Sequence, residues 1–431
     1  MAEKLIRDPV HDVIAFRTDR PEEALLFRLL NTPEFQRLRR VRQLGLAALA
    51  YPGADHSRFS HCIGVMETAR RMLARMEAFV PVTPEQRLVC LAAALLHDLG
   101  HGPFSHVFER VTGIHHEEVT REMILDPAGE VHRLLSERDA RLPQRIVQFL
   151  GGRPQRTFLN DILSSQLDAD RFDYLLRDNL MTGSRYGDFD LSWLLQALML
   201  DPSSGRLAVA AKGISAVEDY LQARYHMYRN VYFHKVVRSA EGMLRLAVQR
   251  ARRLAVQDRL AWPSRDHWLF KALLGQALCH EEFVQFDEVS MLSAFKVWSE
   301  CEDQTLASLC GGLLFRRLYK VIDLSFVEDA AEAARIYAAA RDAVMAAGGD
   351  ADYDLFLDEP LETSYAIPSP GAADGQEDSI IVVDGQGRSS DFARSSPLVA
   401  ALNRQLMFRR IHVAQRYRDV AAAAVMRAAG R

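Results

Sequence analysis

The spacing of apolar residues predicts a mainly helical chain. Apolar side chains recur every three or four residues over residues 24–30, 58–73 and 88–96, and this period places them on one face of a helix. A long helix is also expected over residues 218–248. The alanine-rich segment 328–347 favours a helix by propensity alone.

Strand patterns are shorter and fewer. Apolar and polar residues alternate from Pro9 to Phe16, and short apolar runs occur at residues 206–211 and 380–383; these patterns are typical of strands or hairpin arms. Residues 367–378 have the composition of a mobile loop. We therefore predict a mainly α fold, with a helical core over residues 1–327 and a smaller α+β lobe over residues 328–431.

Composition and charge narrow the class of protein. The chain has 431 residues, of which 48% are hydrophobic, so it can bury a large core and exceeds the usual size of one compact domain. Its net charge of -4 lacks the global basic field of nonspecific nucleic-acid binders. The five cysteines include no C-x-x-C pair, and no apolar run is long enough for a signal or membrane segment. We expect a cytoplasmic protein that does not bind membranes.

The most informative stretch lies where the apolar helix from Leu88 ends in His97 and Asp98, just before a Gly-Pro break. Imidazole and carboxylate together suit a divalent transition metal, and His61 and Asp170 are the candidates for further ligands. A His-Asp pair at a helix end is also typical of a simple cap. The further histidines at positions 101, 106, 115 and 116 favour the metal site.

Basic and aromatic residues near these ligands suit a phosphorylated substrate. Arg58 precedes His61 by one helical turn, so both side chains share a face. Arg171, Tyr174 and Asp178 follow Asp170 at positions that line one wall of a helix. The segment 224–235 mixes aromatic and basic residues, which suits a nucleoside and its phosphates. A packed aromatic face with a solvated basic one is the simpler alternative for that segment.

The order His61, His97-Asp98, Asp170 resembles the HD-domain metal phosphohydrolases. Longer motifs resemble the deoxynucleoside triphosphate (dNTP) triphosphohydrolases among them, in particular the catalytic domain of the vertebrate member that carries a sterile alpha motif. These motifs are residues 8–11, 32–39, 43–45, 51–54, 58–61, 97–106 and 170–174. Because the motifs of the catalytic domain begin at residue 8, we expect no sterile alpha motif. The fold implied is an HD-domain helical core.

The resemblance implies hydrolysis of a dNTP by attack of metal-bound water on the α-phosphorus, which releases a deoxynucleoside and inorganic triphosphate. It assigns the metal, which is left open among Mn, Fe, Zn, Co and Mg, to His61, His97, Asp98 and Asp170. Catalytic roles fall on Arg58, His101, His106, Glu109 and His116, with His116 supported by Glu109 as the acid for the leaving oxygen. The substrate contacts implied are Gln43, Leu44, Arg58, Arg171, Tyr174, Asp178, Arg224 and Tyr232.

Some positions depart from the family pattern. Glu109 stands where the vertebrate relative has an aspartate, and Arg171 where it has a lysine. Arg7 and Asn31 replace residues of its guanine-reading activator site. The resemblance implies a homo-oligomer, tetrameric as in that relative. We expect either constitutive activity or activation by another nucleotide.

Two other functions stay open from the residues. One is a different HD-domain phosphohydrolase, either a nucleotidase or a phosphodiesterase. The other is a nucleotide sensor or single-stranded nucleic-acid binder with a vestigial site. The complete ligand set and the many candidate triphosphate contacts favour the dNTP triphosphohydrolase.

Overall fold

A computed structural model describes residues 3–104, 106–151, 156–362, 379–398 and 406–431. The fold is mainly α, as predicted. The α-helices are α1 (Pro21–Leu29), α2 (Pro33–Arg37), α3 (Arg58–Met76), α4 (Pro84–Leu96), α5 (His106–Thr112), α6 (His116–Leu125), α7 (Glu130–Arg138), α8 (Leu142–Leu150), α9 (Phe158–Asp161), α10 (Ala169–Thr182), α11 (Leu191–Ala197), α12 (Ile214–Met227), α13 (Lys235–Val256), α14 (Trp268–Leu273), α15 (His280–Val284), α16 (Glu288–Trp298), α17 (Gln304–Leu314), α18 (Ala330–Ala346), α19 (Phe392–Ser395) and α20 (Arg418–Ala428). The loop predicted at residues 367–378 lies outside the described residues.

Short strands form small sheets around the helices. They are β1 (Glu3–Asp8), β2 (Asp12–Arg17), β3 (Leu198–Leu200), β4 (Leu207–Ala210), β5 (Lys320–Asp323), β6 (Leu355–Asp358), β7 (Leu361–Glu362), β8 (Ile381–Val383), β9 (Ser389–Asp391), β10 (Leu406–Met407) and β11 (Arg410–Val413). β1 and β2 form an antiparallel hairpin, and β7 pairs with β10. The larger sheets have the orders β5-β11-β6 and β3-β4-β8-β9, in which only the β4–β8 pair is parallel.

Helices α3, α4 and α10 pack together at the centre of the molecule. Helix α4 begins with a capping box between Thr83 and Gln86 and has proline in its first turn. Every α4 residue from Leu88 onward is buried, so its carboxyl end delivers polar groups into the interior. Helix α10 is capped by the Asp168 side chain and ends at Gly183, whose φ of 68° favours glycine.

A second hydrophobic core lies between α18, α20 and the β5-β11-β6 sheet. It is formed by Leu324, Val327, Ala333, Ile336, Ala340, Val344, Leu355, Ile411, Val413, Ala421 and Val425. We call α18, α20 and this sheet the C-terminal lobe. Because β8 and β9 extend the sheet of β4 in the central part of the fold, the division of the chain at residue 327 stays a prediction.

The predicted long helix over residues 218–248 is interrupted. Helix α12 is followed by a π-helical turn at Tyr228–Tyr232, and His234 then caps α13 by accepting a hydrogen bond from the Val236 N–H. The wider π turn rotates Tyr232 toward α10, where its hydroxyl contacts Asp178. Among the described helices, none has the length and apolar content that a bilayer crossing requires.

Candidate metal centre and adjoining cavity

Three helices bring His61, His97 and Asp170 together. His61 lies one turn into α3, His97 is the C-cap of α4, and Asp170 lies in the first turn of α10. Oδ1 of Asp170 is 3.0 Å from Nε2 of His61 and 3.6 Å from Nε2 of His97. One donor atom from each residue lies within 4.8 Å of the other two. The predicted ligands from distant parts of the chain therefore converge.

Hydrogen bonds at Nδ1 leave Nε2 of both His61 and His97 available to bind a cation. Nδ1 of His61 donates to Oδ2 of Asp173 at 2.8 Å, and Nδ1 of His97 donates to the Ala94 carbonyl at 2.9 Å. Each bond places the ring proton on Nδ1 and leaves a lone pair on Nε2. Both Nε2 atoms are buried and have no hydrogen-bond partner among the described residues. These residues can hold a divalent metal ion.

Asp98 stands beside this group. Its Oδ1 is 3.4 Å from Nε2 of His97 and 3.3 Å from Nε2 of His101, and its Oδ2 is 3.8 Å from Nε2 of His61. The Arg58 guanidinium also contacts Oδ2. Burial raises the pKa of Asp98, but the charges of His97 and Arg58 lower it by more. The pKa is therefore held well below its usual range. Asp98 is therefore an ionised carboxylate that borders the metal group.

The histidines face an excess of negative charge. Burial lowers the pKa of His61, but the nearby carboxylates of Asp170 and Asp173 outweigh it and raise the pKa to about 10. The pKa of His97 is also raised, because Asp98 and Asp170 outweigh its burial. These carboxylates favour positive charge at the imidazoles, and a divalent cation can supply that charge in place of protons.

Asp173 binds the Nδ1 side of the His61 ring, opposite the Nε2 atom that faces Asp170. Its carboxylate is fully buried and accepts from His61, from Nε2 of His11 at 2.7 Å and from two nitrogens of Arg177 at 2.9 and 2.8 Å. Arg177 in turn binds Asp8 at the end of β1, with Nη1 to Oδ2 at 2.8 Å. Asp8, His11 and Asp173 lie in the motifs at residues 8–11 and 170–174, but their network with Arg177 was not predicted. The i, i+4 spacing of Asp173 and Arg177 was the available signal.

A second group of titratable residues adjoins the first. The rings of His101 and His116 stack with centroids 3.8 Å apart, and Nδ1 of His116 lies 3.1 Å from Oε2 of Glu109. Asp98, His101 and His116 bring donor atoms within 4.8 Å of one another. Burial and the Arg58 charge hold the pKa of His101 well below its usual range, so His101 is neutral. The side chain of His106 lies outside the described residues.

A cavity of about 560 Å³ opens beside both groups. Of the predicted substrate and site residues, those that line it are Gln43, Leu44, Arg58, Asp98, His101, His116, Asp170, Tyr174, Asp178 and Tyr232. Asp178 accepts from the Tyr232 hydroxyl at 2.8 Å, and its other oxygen is 2.7 Å from Nε2 of His56. Oε1 of Gln43 is buried without a hydrogen-bond partner in the described part of the chain.

Arg171 and Arg224 do not line the cavity, although both were expected to contact a triphosphate. Nε of Arg171 lies 3.1 Å from Oδ2 of Asp168, the residue that caps α10. Nη1 of Arg224 donates to Oε1 of Gln166 at 3.2 Å, and its guanidinium lies over the Tyr228 ring. Both arginines therefore bind local partners, although their charges still act on Tyr174, which lines the cavity.

Comparisons with known proteins match two family models and a relative of similar length. Residues 58–142 match the model of the HD domain, and residues 189–261 match that of an HD associated region. The chain is 35% identical over 402 residues to the uncharacterized protein YwfO of Bacillus subtilis, an alignment that covers 93% of this chain and 89% of YwfO.

A second relative and a solved structure are also similar to this chain. The relative is the deoxynucleoside triphosphate triphosphohydrolase SAMHD1 homolog of Dictyostelium discoideum, which is 30% identical over 73% of this chain and 60% of its own length. The chain therefore spans less than two thirds of that relative. The solved structure is the crystal structure of a phosphohydrolase from Bacteroides thetaiotaomicron. It has a TM-score of 0.80 and 29% sequence identity to this chain, and the match covers 96% of this chain and 100% of the phosphohydrolase.

Proposed function

This chain belongs to the HD-domain phosphohydrolase family, as its motifs predicted, and on that basis we propose that it hydrolyses dNTPs to deoxynucleosides and inorganic triphosphate. One observation carries the proposal: the metal group, the stacked His101–His116 pair and the polar group of Gln43, Asp178 and Tyr232 all border a single cavity. A divalent cation held by His61, His97, Asp98 and Asp170 would supply a nucleophile at neutral pH and Lewis-acid assistance at phosphorus.

The residues around the metal group would bind the phosphates and protonate the leaving group. Arg58 both contacts Asp98 and lines the cavity, so its guanidinium can bind phosphate oxygens where charge develops. His116 is oriented by Glu109 through Nδ1, which leaves Nε2 to protonate the leaving 5′-oxygen. Neutral His101, stacked on His116, completes this wall by offering a hydrogen bond rather than a charge.

The sugar would lie against Gln43, Leu44 and Tyr232. The unpartnered Oε1 of Gln43 accepts a hydrogen bond from a 3′-hydroxyl, which removes the cost of a buried unsatisfied acceptor. The Tyr232 ring is fixed by its bond to Asp178 and occupies the space beside the sugar. A 2′-hydroxyl would crowd this ring, so we expect deoxyribonucleotides to be preferred. Tyr174, whose ring meets that of Tyr232 edge to face, supports the same wall.

The wider organisation is part of the same proposal. By resemblance to the dNTP triphosphohydrolases, the chain would act in the cytoplasm as a homotetramer, with the C-terminal lobe at subunit contacts. The changed activator positions Arg7 and Asn31 support constitutive activity or a non-guanine activator.

Product analysis in ¹⁸O-labelled water tests the reaction. Purified protein with Mn²⁺ and each dNTP should release deoxynucleoside and triphosphate, with the label in the triphosphate because attack occurs at the α-phosphorus. The double variant His97→Ala, Asp98→Ala is the control and should release neither product. Formation of deoxynucleoside monophosphate and pyrophosphate would overturn the proposal in favour of another phosphohydrolase. Tight nucleotide binding without turnover, unchanged in the double variant, would instead indicate a sensor.

A further inference from the structure

The C-terminal lobe reaches the wall of the catalytic cavity through an ion pair. Arg238 of α13 lines the cavity. Its guanidinium binds Asp358 of β6 with Nε 3.1 Å from Oδ2 and Nη2 2.5 Å from Oδ1. The Asp358 side chain is 7% exposed and that of Arg238 17% exposed. This nearly buried bidentate pair fixes the plane of the Arg238 guanidinium.

A second contact from the lobe fixes the neighbouring wall residue. Nη1 of Arg410, in β11, donates to the backbone carbonyl of Phe233 at 2.6 Å. The Phe233 ring meets the ring of Phe408 edge to face, and Phe233 lines the cavity next to Val237 and Arg238. The position of this wall segment therefore depends on a strand of the lobe.

The lobe is seated closely on α13. At Gly242, one turn beyond Arg238, a Cβ atom would lie 1.9 Å from the Phe356 ring of β6. The Phe356 ring therefore packs directly on the backbone of α13 at this point. The distance between the lobe and the cavity wall depends on this contact between ring and helix.

The hydrogen-bonding groups of this wall suit a nucleobase better than a phosphate. Nη1 of Arg238 lies 2.7 Å from Oε2 of Glu241, so two carboxylates share one guanidinium. Three of the five guanidinium N–H groups are thus already bound, which leaves few for phosphate oxygens, whereas an uncharged base can bind the ordered N–H and carboxylate groups and stack on Phe233. By contrast, Arg58, His101 and His116 form the wall beside the metal group.

We propose that the C-terminal lobe sets the base selectivity of the cavity, with Asp358 and Arg410 as positioning residues that hold Arg238 and Phe233 against the nucleobase. The identity of the ligand as a dNTP rests on the function proposed above. The lobe acts through the backbone and guanidinium it holds, and neither Asp358 nor Arg410 touches the substrate.

The test compares the affinities for the four dNTPs, measured by calorimetry with Ca²⁺ and with product analysis to verify that no turnover occurs. Asp358→Asn should change the ratio of the tightest to the weakest dissociation constant by roughly 10-fold, the effect of one misplaced hydrogen bond. Arg238→Met should do the same, and the double variant should add nothing further, because the pair acts as a unit.

The matched control is Asp303→Asn. Asp303 forms a comparable bidentate pair with Arg250 on the same helix α13, with Nε–Oδ1 at 3.0 Å and Nη2–Oδ2 at 2.5 Å, and neither residue lines the cavity. This variant should lower the unfolding temperature while leaving the four affinities in their original ratio. If Asp358→Asn does not fold, Arg238→Met tests the same wall from the core side.

Two results separate this inference from the reaction itself. If Arg238→Met and Asp358→Asn leave the affinity ratio as unchanged as Asp303→Asn does, the inference is wrong even where dNTP hydrolysis is confirmed. If the ratio changes but the products are not deoxynucleoside and triphosphate, the lobe's role in base selection stands and the proposed reaction fails.

Discussion

Nδ1 of His61 donates a hydrogen bond of 2.8 Å to Oδ2 of Asp173, across 112 residues of sequence. Because this bond aims Nε2 of His61 at the metal position, we expect Asp173→Asn to weaken metal binding by about 10- to 100-fold. Titration of the metal-free protein with Co²⁺, followed by its visible absorption, measures the dissociation constant without any assay of activity.

Asp161→Asn is the control for Asp173→Asn. Asp161 is also a buried carboxylate with a bidentate arginine, at 2.7 and 2.6 Å from Arg206, but it contacts none of the candidate ligands. It should reduce stability and keep the Co²⁺ affinity. Equal affinities in both variants would mean that Asp173 only supports the fold.

Removal of one candidate ligand should abolish metal binding and activity together. His97→Ala leaves Asp170 with one imidazole, so metal content should fall to background and turnover by on the order of 10³-fold or more. Metal analysis and triphosphate release on the same preparation measure both. His132→Ala, which alters a histidine that contacts Ser136 on α7, is the control and should retain both. A fully metallated His97→Ala protein would contradict the assignment.

The proposed acid role of His116 can be isolated with a modified substrate. His116→Ala should slow hydrolysis of a normal dNTP by about 10²- to 10⁴-fold, because the 5′-oxygen must leave unprotonated. A dNTP analogue with sulfur in place of the bridging 5′-oxygen leaves as a thiolate and should be hydrolysed at similar rates by both proteins. An equal loss of rate for both substrates would assign His116 to binding instead.

Glu288 gives the protein a defined pH dependence. Burial raises its pKa to about 7, although the N–H groups of Arg42 and Phe104 bind its carboxylate. Since the folded pKa exceeds the unfolded value, the folded state binds more protons between about pH 4.5 and 7, and stability falls as the pH rises through that window. The full loss is about 3 kcal/mol.

Glu288→Gln removes this titration and keeps an oxygen acceptor. Urea unfolding from pH 5 to pH 8 should therefore show a free energy of unfolding that declines less steeply with pH for the variant than for the parent protein. Parallel curves for the two proteins would show that Glu288 titrates normally.

The close contact at Gly242 predicts a large effect of a single methyl group. Gly242→Ala places Cβ against the Phe356 ring, so it should lower the free energy of unfolding by about 1–3 kcal/mol. Gly385→Ala is the control, because no atom lies within 4 Å of its added Cβ. Thermal unfolding of both variants measures the difference. Similar unfolding temperatures would show that the lobe shifts easily on α13.

The sequence predicted the metal group better than the groups that support it. His97 and Asp98 were predicted as ligands because the apolar pattern of α4 stops abruptly there and further histidines follow closely in the sequence. Asp173 was missed because its partners His61 and His11 come from remote elements, which no local period reveals. The bond of Arg171 to Asp168, only three residues away, was not predicted, and the contact of Arg171 with a triphosphate stays a prediction.

The order along the sequence of the residues around the metal group has a consequence for protein synthesis. The β1–β2 hairpin, which supplies Asp8 and His11, precedes α10, which supplies Asp170 and Asp173, and His11 is separated from Asp173 by 162 positions. A nascent chain that lacks α10 contains His61, His97 and Asp98 but neither Asp170 nor Asp173. We therefore expect the metal group to be complete only once α10 has been synthesised and has folded, with Asp173 in place to hold His61.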